Sequence, residues 1–204
     1  MDEHEILKHL KESAWQDVKY FSNSNKEERE RWVVSDFLSV LGIEHSVADL
    51  QSLEQESKVD VRFRNAQFQV KEIPDPNLLR GKMYKDTYNS INMAKSLGEV
   101  SLVGDLHDLP QISCMYELVL EKAGDLANSE TYRDTKSVLD LLIYVTRPRA
   151  SLIQAHEIKS EDFAEFGWRS VSCINSKQGV VLYSSQSAPK FIADRSQNVV
   201  VKNG

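Results

Sequence analysis

Hydrophobic residues recur every three to four positions at the start of the chain, which is the period of an α-helix. The first predicted helix covers roughly 20 residues, with its apolar positions at Ile6, Leu7, Leu10, Trp15, Val18 and Phe21. A second helix is predicted from Ser24, with Glu27 as its capping-box partner, to about Leu41, where Gly42 ends it. Its apolar face comprises Val33, Val34, Phe37, Leu38 and Leu41, and one turn earlier the same face contains Glu30.

The middle of the chain changes to the two-residue period of strands. Alternating residues predict strands over 59–64 and 68–71, ended by the prolines that flank Asp75, and a short strand over 43–47. Further helices are predicted over 82–97 and 110–128, with a short one near Phe191. Further strands are predicted over 138–146, 168–174, 179–184 and 198–202. Helices interleaved with strands indicate an α/β or α+β fold in one domain, with residues 1–150 as its core and 151–204 as a strand-rich extension.

The charge is unevenly distributed along the 204 residues. The chain has 25 basic and 31 acidic residues, a net charge of −6, which argues against a protein that coats nucleic acid with a basic surface. However, the segment from Lys58 to Lys95 contains eight basic and only four acidic residues. The rest of the chain therefore has a net charge of −10. A local basic patch on an acidic protein suits contact with a polyanion at one site, and chance variation in charge is the alternative.

Several classes of protein are disfavoured by what the sequence contains. The acidic start is unlike a secretory signal, and the longest apolar run, around residues 139–145, is too short to span a membrane and contains Asp140. Only Cys114 and Cys173 are present, and the five histidines lack metal-binding spacing. We therefore expect a reduced, cytoplasmic protein that does not associate with membranes. Arg147 and Arg149 flank Pro148 in what we interpret as a solvated turn, with phosphate contact as the alternative.

The most informative segment is the predicted hairpin over 59–73. If Asn65 and Ala66 form a two-residue turn, Arg62 faces Gln69 and Asp60 faces Lys71 across the strands. The strand period then places Val59, Val61, Phe63, Phe68 and Val70 on one side and Asp60, Arg62, Gln69 and Lys71 on the other. A carboxylate, an amide oxygen and an amine would converge at one end of the hairpin.

These groups match the needs of metal-assisted phosphodiester hydrolysis. Mg²⁺, or Mn²⁺, prefers oxygen ligands, which Asp60 and Gln69 can supply as metal ligands. Lys71 can polarise the attacking water and offset charge on the phosphate, while Glu30 can add an auxiliary acid. Four basic residues are candidates for binding the flanking phosphates of the substrate: Arg62, Arg64, Lys82 and Lys85.

The spacing of Asp60 and Gln69-Val70-Lys71, after a helix that carries Glu30, resembles the restriction-endonuclease-like PD-(D/E)xK nuclease superfamily, in its Mrr-like Gln-x-Lys form. Residues 28–33, 59–70 and 167–170 further resemble a family of uncharacterised bacterial proteins designated as endonucleases. The resemblance implies an αβββαβ core with a mixed central sheet flanked by helices, and the active site on this hairpin. Val59 replaces the motif's proline, and neutral Gln69 replaces its usual acid.

The function expected from this resemblance is metal-dependent cleavage of nucleic acid, most simply DNA, by in-line attack of a metal-bound water. Many nucleases of this type work as dimers, so a homodimer stays open. Two other functional classes also stay open: a nuclease fold that binds nucleic acid or a protein without cleaving, and a pure protein-interaction domain. Locally, Asp60 and Lys71 could form only a surface ion pair, Gln69 could be ordinary hairpin polarity, and Glu28 could replace Glu30.

Overall fold

A computed structural model describes residues 2–20, 22, 25–53, 57–76, 80–100 and 111–202, without the side chains of Tyr20 and residues 80–82. The chain forms two compact units, one from residues 1–29 and 76–110 and the other from residues 30–75 and 111–204. None of the helices in the described part of the chain is long and apolar enough to cross a membrane.

The first unit is built around two helices, α1 (Glu3–Tyr20) and α3 (Arg80–Met93). Trp15 of α1 packs against Tyr88 of α3, with 5.3 Å between the ring centroids. Beyond α3, the Lys11 ammonium donates a hydrogen bond to the Ala94 carbonyl over 2.9 Å. The pattern-based predictions of both helices are confirmed, although α3 ends at Met93, before the predicted Leu97.

The second unit contains a seven-stranded mixed sheet in the order β1-β2-β3-β5-β7-β8-β9. Its strands are β1 (Gln51–Ser52), β2 (Val61–Phe63), β3 (Ala66–Ile73), β5 (Asp140–Val145), β7 (Ser170–Ile174), β8 (Gln178–Ser184) and β9 (Val199–Val201). β3, β5 and β7 are parallel neighbours, whereas the other pairs are antiparallel. A second sheet pairs β4 (Ser113–Cys114) with β6 (Ala150–Ser151). The strands after residue 151 thus extend the central sheet, as expected.

Helices cover both faces of the central sheet. Helix α2 (Lys26–Val40) packs Val34, Phe37 and Leu38 against Phe68 and Leu142 in one apolar cluster. Helix α4 (Met115–Asn128) packs on the other face, where its cluster includes Leu141, Ile143 and Trp168. Two short helices, α5 (Ser160–Ala164) and α6 (Lys190–Ala193), complete the fold. A mixed α/β fold with a helix-flanked sheet was the sequence-based prediction, and it is confirmed.

The structure corrects two predicted elements. Residues 43–46 form no strand, because His45 and Ser46 bond to local partners and a 3₁₀ turn follows at Val47–Asp49. Helix α4 begins at Met115 rather than near residue 110, because Ser113–Cys114 pairs with β6. Helix α2 begins at Lys26, and the predicted cap Ser24 lies outside the described residues. Its predicted end is confirmed, with Gly42 in the left-handed conformation at φ 70°.

A buried carboxylate joins the β2–β3 hairpin to the centre of the sheet. Asp140, 1% exposed, accepts hydrogen bonds from the Arg169 guanidinium, from the Ser170 hydroxyl at 2.8 Å and from the Gln67 backbone N–H at 2.9 Å. Arg169 also donates to the Asn65 carbonyl in the hairpin turn over 3.3 Å. Four donors compensate the desolvation of this charge, and they fix the position of β3 relative to β5 and β7.

We expect Arg169→Gln to lower the free energy of unfolding by about 3–5 kcal/mol, because it leaves the Asp140 carboxylate buried without its cation. Urea unfolding followed by circular dichroism measures the change. Arg133→Gln is the control, since Arg133 pairs with Glu130 at an exposed surface and its loss should cost less than about 1 kcal/mol. Equal stability of the two variants would show that the Asp140 cluster does not hold the sheet together.

Candidate functional site

The β2–β3 hairpin turns one residue earlier than the sequence predicts. Phe63 pairs with Ala66, so the turn consists of Arg64 and Asn65, and Arg64 adopts a left-handed φ of 52°. The predicted turn at Asn65 and Ala66 is therefore wrong, as are the facing pairs derived from it. The observed register buries Ala66 completely in the cluster under α2, whereas a turn position would have exposed its methyl group.

The shift moves each facing pair by two residues, which keeps the side chains on their predicted sides because strands alternate with a period of two. Val61 and Phe63 face α2 together with Phe68, as expected. Val59 is an exception and packs into the cluster on the α4 side, because it precedes β2 and lies outside the pleated part of the strand. The register places Asp60 opposite Gln69 instead of opposite Lys71.

Asp60 and Gln69 are joined by direct contacts. The backbone N–H of Asp60 donates to the Phe68 carbonyl over 2.9 Å, which continues the β2–β3 ladder by one residue. One carboxylate oxygen of Asp60 accepts hydrogen bonds from the Gln69 side-chain amide and, over 2.8 Å, from the Val70 backbone N–H. Asp60 is half-buried, whereas Gln69 is only 2% exposed. The carboxylate is thus held at the edge of the hairpin by fixed donors.

Lys71 lies on the same side of β3 as Gln69, two residues further along the strand. Its ammonium nitrogen sits 5.8 Å from the centre of the Tyr132 ring, within the range of a cation–π contact. Tyr132 packs in turn against Trp168, with ring centroids 5.4 Å apart, and the Trp168 indole donates to the Ala123 carbonyl of α4. A pair of tilted aromatic rings anchored to α4 therefore lies beside the half-buried Lys71 side chain.

Glu30 faces inward on α2, as the helical pattern predicts, and is 9% exposed. The residues that share its face, Val33 and Val34, belong to the cluster between α2 and the sheet. Lys71, by contrast, contacts Tyr132 in the cluster on the α4 side. The structure consequently brings Asp60, Gln69 and Lys71 to one side of the hairpin but places Glu30 in the layer on the other side.

The four basic residues expected to bind phosphate fall in different surroundings. Arg62 is exposed on β2 and points to the same side as Asp60. Arg64 instead donates to the Glu44 carbonyl at 3.0 Å and stacks over Phe63, which directs it away from Lys71 toward the α2 side. Lys85 is exposed on α3 in the first unit, and the Lys82 side chain lies outside the described residues.

The oxygen atoms of Asp60 and Gln69 suit a divalent cation only when a substrate phosphate provides a further ligand. The Gln69 amide nitrogen points at the Asp60 carboxylate, so its carbonyl oxygen can become a ligand only after the amide rotates about its terminal torsion. Among the described residues, no three His, Cys, Asp or Glu side chains cluster closely enough to hold a metal ion. Mg²⁺ often binds through one or two protein oxygens plus phosphate and water, which these residues can support.

Sequence reasoning missed the residues that hold this site together. Tyr132 belongs to no recognisable motif, and its one signal in the sequence is that an aromatic residue precedes a predicted buried strand. The sequence predicted a strand over 168–174 and a family resemblance over 167–170 but no partners for these residues, whereas the structure shows Trp168 against Tyr132 and Arg169 on Asp140. Neither pairing is visible in the sequence, because each joins residues about 30 or more positions apart.

The fold and the hairpin define a mixed α/β protein that carries a carboxylate, an amide and an ammonium group on one side of a β-ribbon. The chain belongs to the family described as "Putative endonuclease, protein of unknown function (DUF1780)", whose model matches residues 2–204. The sequence-based resemblance to an endonuclease family is confirmed at this level. A comparison with curated proteins gave no match.

A solved structure of similar architecture comes from Pseudomonas aeruginosa. It is a protein of unknown function that aligns with a TM-score of 0.61 and 24% identity, over 100% of this chain and 97% of that chain. That protein is described as a member of the monooxygenase superfamily. At this level of identity the similarity shows a shared fold, and a fold alone does not define an activity.

We expect Gln69→Glu to destabilise the protein in the absence of metal by about 2 kcal/mol or more. The variant replaces the hydrogen bond from the Gln69 amide to the Asp60 carboxylate by repulsion between two carboxylates. Mg²⁺ or Mn²⁺ should then raise the melting temperature of the variant more than that of the wild type, since the added carboxylate binds the cation in the folded state. Thermal unfolding with and without metal measures both effects.

The matched control is Gln111→Glu, which adds the same charge at an exposed position. This control should respond to metal as the wild type does. If Gln69→Glu and Gln111→Glu behave alike with and without metal, Gln69 is not part of a cation-binding site.

Proposed function

We propose that the protein is a metal-dependent phosphodiesterase that cleaves DNA and belongs to the restriction-endonuclease-like, PD-(D/E)xK superfamily. The observation that carries the proposal is the contact between Asp60 and Gln69, with Lys71 next on the same side of β3. These are the residue types and the order that the Gln-x-Lys form of the motif requires. Membership of a family described as endonucleases supports the same activity.

The order of elements supports the proposed superfamily independently of the site. Helix α2 is followed by the antiparallel strands β1, β2 and β3, then by α4 and β5, with α3 inserted between β3 and α4. In the sheet, β1, β2, β3 and β5 are adjacent in that order, and β5 runs parallel to β3. This arrangement is the αβββαβ order expected from the resemblance.

Each residue of the site has a defined task in this proposal. Asp60 and Gln69 would hold Mg²⁺ or Mn²⁺ together with a phosphate oxygen, and the bound cation would supply positive charge against the developing charge of the phosphate. Lys71 would donate hydrogen bonds to a phosphate oxygen or to the attacking water. The Tyr132 ring lies 5.8 Å from the Lys71 ammonium and favours this position through a cation–π contact. Glu30 receives no task in this arrangement, because it packs in the layer under α2.

A second function is favoured by one specific contact. The hydrogen bond from the Gln69 amide to Asp60 satisfies the carboxylate without a metal, as a binding module that no longer cleaves would require. Such a module would bind DNA with strong salt dependence and would show no change in stability with divalent metal. Calorimetric titration of the protein with Mn²⁺, in the presence and absence of a DNA duplex, separates the two functions.

We expect Lys71→Ala and Asp60→Ala each to lower the rate of DNA cleavage by at least about 100-fold, because each removes a group that stabilises charge in the transition state. Initial rates with Mg²⁺ and with Mn²⁺ on supercoiled, linear and single-stranded DNA measure the effect. The matched control is Lys190→Ala, since Lys190 is an exposed lysine whose side chain is 88% accessible and pairs with Asp194.

The control should cleave at the wild-type rate. Absence of cleavage by the wild type across these substrates and RNA would exclude the proposed activity. A Lys71→Ala variant with the full wild-type rate would show that cleavage occurs at a different site.

A further inference from the structure

We infer that Arg147, with Arg149, forms a second phosphate-binding point that holds the DNA backbone beside the Lys71 site. The inference rests on the proposed function and extends it by naming residues that contact the substrate away from the cleaved bond. Arg147 directly follows Thr146 at the carboxyl end of β5, the strand that lies parallel to the one carrying Lys71. In open α/β sheets, ligands bind outside the carboxyl ends of parallel strands.

The Arg147 guanidinium has a donor that the protein does not satisfy. Its Nε is buried and donates to no acceptor among the described residues. Within the same part of the chain, Arg147 also forms no ion pair with a carboxylate. An unpaired buried donor is unfavourable, and more so when it is charged. Retaining it suits a residue whose acceptor is an anion, because a guanidinium binds phosphate through paired hydrogen bonds.

Strand register places Arg147 on the same side of the sheet as Lys71. Lys71 pairs with Ile143, and Ile73 pairs with Val145. Ile143 and Val145 pack in the α4-side cluster, so the alternation directs Arg147 to that side as well. The Cα atoms of Lys71 and Arg147 should lie roughly 14 Å apart, from the rise per residue and the spacing between strands.

The segment that carries the two arginines is held at both ends. Thr146 donates its backbone N–H to the Ile73 carbonyl over 3.1 Å and its hydroxyl to the Glu72 carboxylate. At the other end, the Arg149 carbonyl accepts the Ser113 N–H over 3.2 Å, where β4 joins β6. Arg149 itself has a left-handed φ of 61°, which is unfavourable for an arginine, and it is exposed.

Two carboxylates lie close to this segment, and each already has a contact of its own. Glu72 alternates to the α2 side of β3 and is engaged by Thr146. Asp75 follows the end of β3, where the continued β3–β5 register places it opposite Arg147, and it is buried, 4% exposed. Arg147, Arg149 and Lys71 bring three cations to this end of the sheet, although the whole protein is acidic. A local cationic surface of this kind is what contact with a phosphate backbone requires.

The test measures binding of a fluorescent DNA duplex by anisotropy over a range of NaCl concentrations, without divalent cations so that no cleavage occurs. We expect Arg147→Gln to weaken binding about 10-fold or more. The plot of log K against log salt concentration should become shallower by about 0.9, the value for one lost phosphate contact on duplex DNA. The melting temperature should stay the same or rise, because the variant removes a buried donor that lacks an acceptor.

Two further variants keep the result interpretable. Arg147→Lys retains the charge but not the planar guanidinium, so it should keep the wild-type salt dependence while binding less tightly. Lys190→Gln removes one positive charge at an exposed position and controls for net charge. It should bind DNA as the wild type does.

The inference is overturned if Arg147→Gln matches Lys190→Gln in affinity and salt dependence. It is also overturned if Arg147→Gln lowers the melting temperature and Arg147→Lys restores it without restoring binding, because Arg147 would then be structural. These outcomes leave the proposed function intact when Lys71→Ala still abolishes cleavage. A wild-type protein without salt-dependent DNA binding would overturn the inference and the proposed function together.

Discussion

The carboxylate of Asp140 is the point on which the rest of the second unit depends. It is buried where β3, β5 and β7 meet, and it receives hydrogen bonds from a guanidinium, a hydroxyl and a backbone N–H. A charge in this position would be strongly unfavourable if any partner were missing. The same guanidinium reaches the hairpin turn at Asn65, so this cluster holds the hairpin against the central strands together with the β3–β5 ladder.

The position of the hairpin determines what the site can do. Once Phe63 pairs with Ala66, Asp60 falls opposite Gln69, and their side chains meet without any ion present. The same carboxylate oxygen also accepts the Val70 backbone N–H over 2.8 Å, so Asp60 has two donors within the protein. A glutamate at position 69 could not donate the first of these hydrogen bonds, because an ionised carboxylate only accepts. In the proposed function, a cation at this site would require the Gln69 amide to rotate, so that its carbonyl oxygen rather than its N–H faces the cation.

Lys71 is positioned by a different part of the chain. The Tyr132 ring under its ammonium is fixed by Trp168, which α4 holds through the Ala123 carbonyl. Residues 168–170 thus serve both halves of the site, with Trp168 acting on Lys71 and Arg169 acting on the hairpin. This double role gives a physical reason for the short stretch around Trp168 to stand out in the family resemblance, even though none of its residues lies beside Asp60.

The sequence by itself determined the longer helices and strands (but not the two-residue strands β1, β4 and β6), the helix-flanked mixed sheet and the sides of the hairpin on which Asp60, Gln69 and Lys71 lie. All of these follow from periods of two or 3.6 residues, which local patterns record. Only the tertiary structure decided the hairpin register, the layer that contains Glu30 and the supports under Lys71. Register depends on burial of Ala66 in a core built from distant segments, and side-chain partners such as Asp140 and Arg169 are 29 residues apart. Local patterns fix which face a residue occupies, whereas packing between distant segments fixes what it meets there.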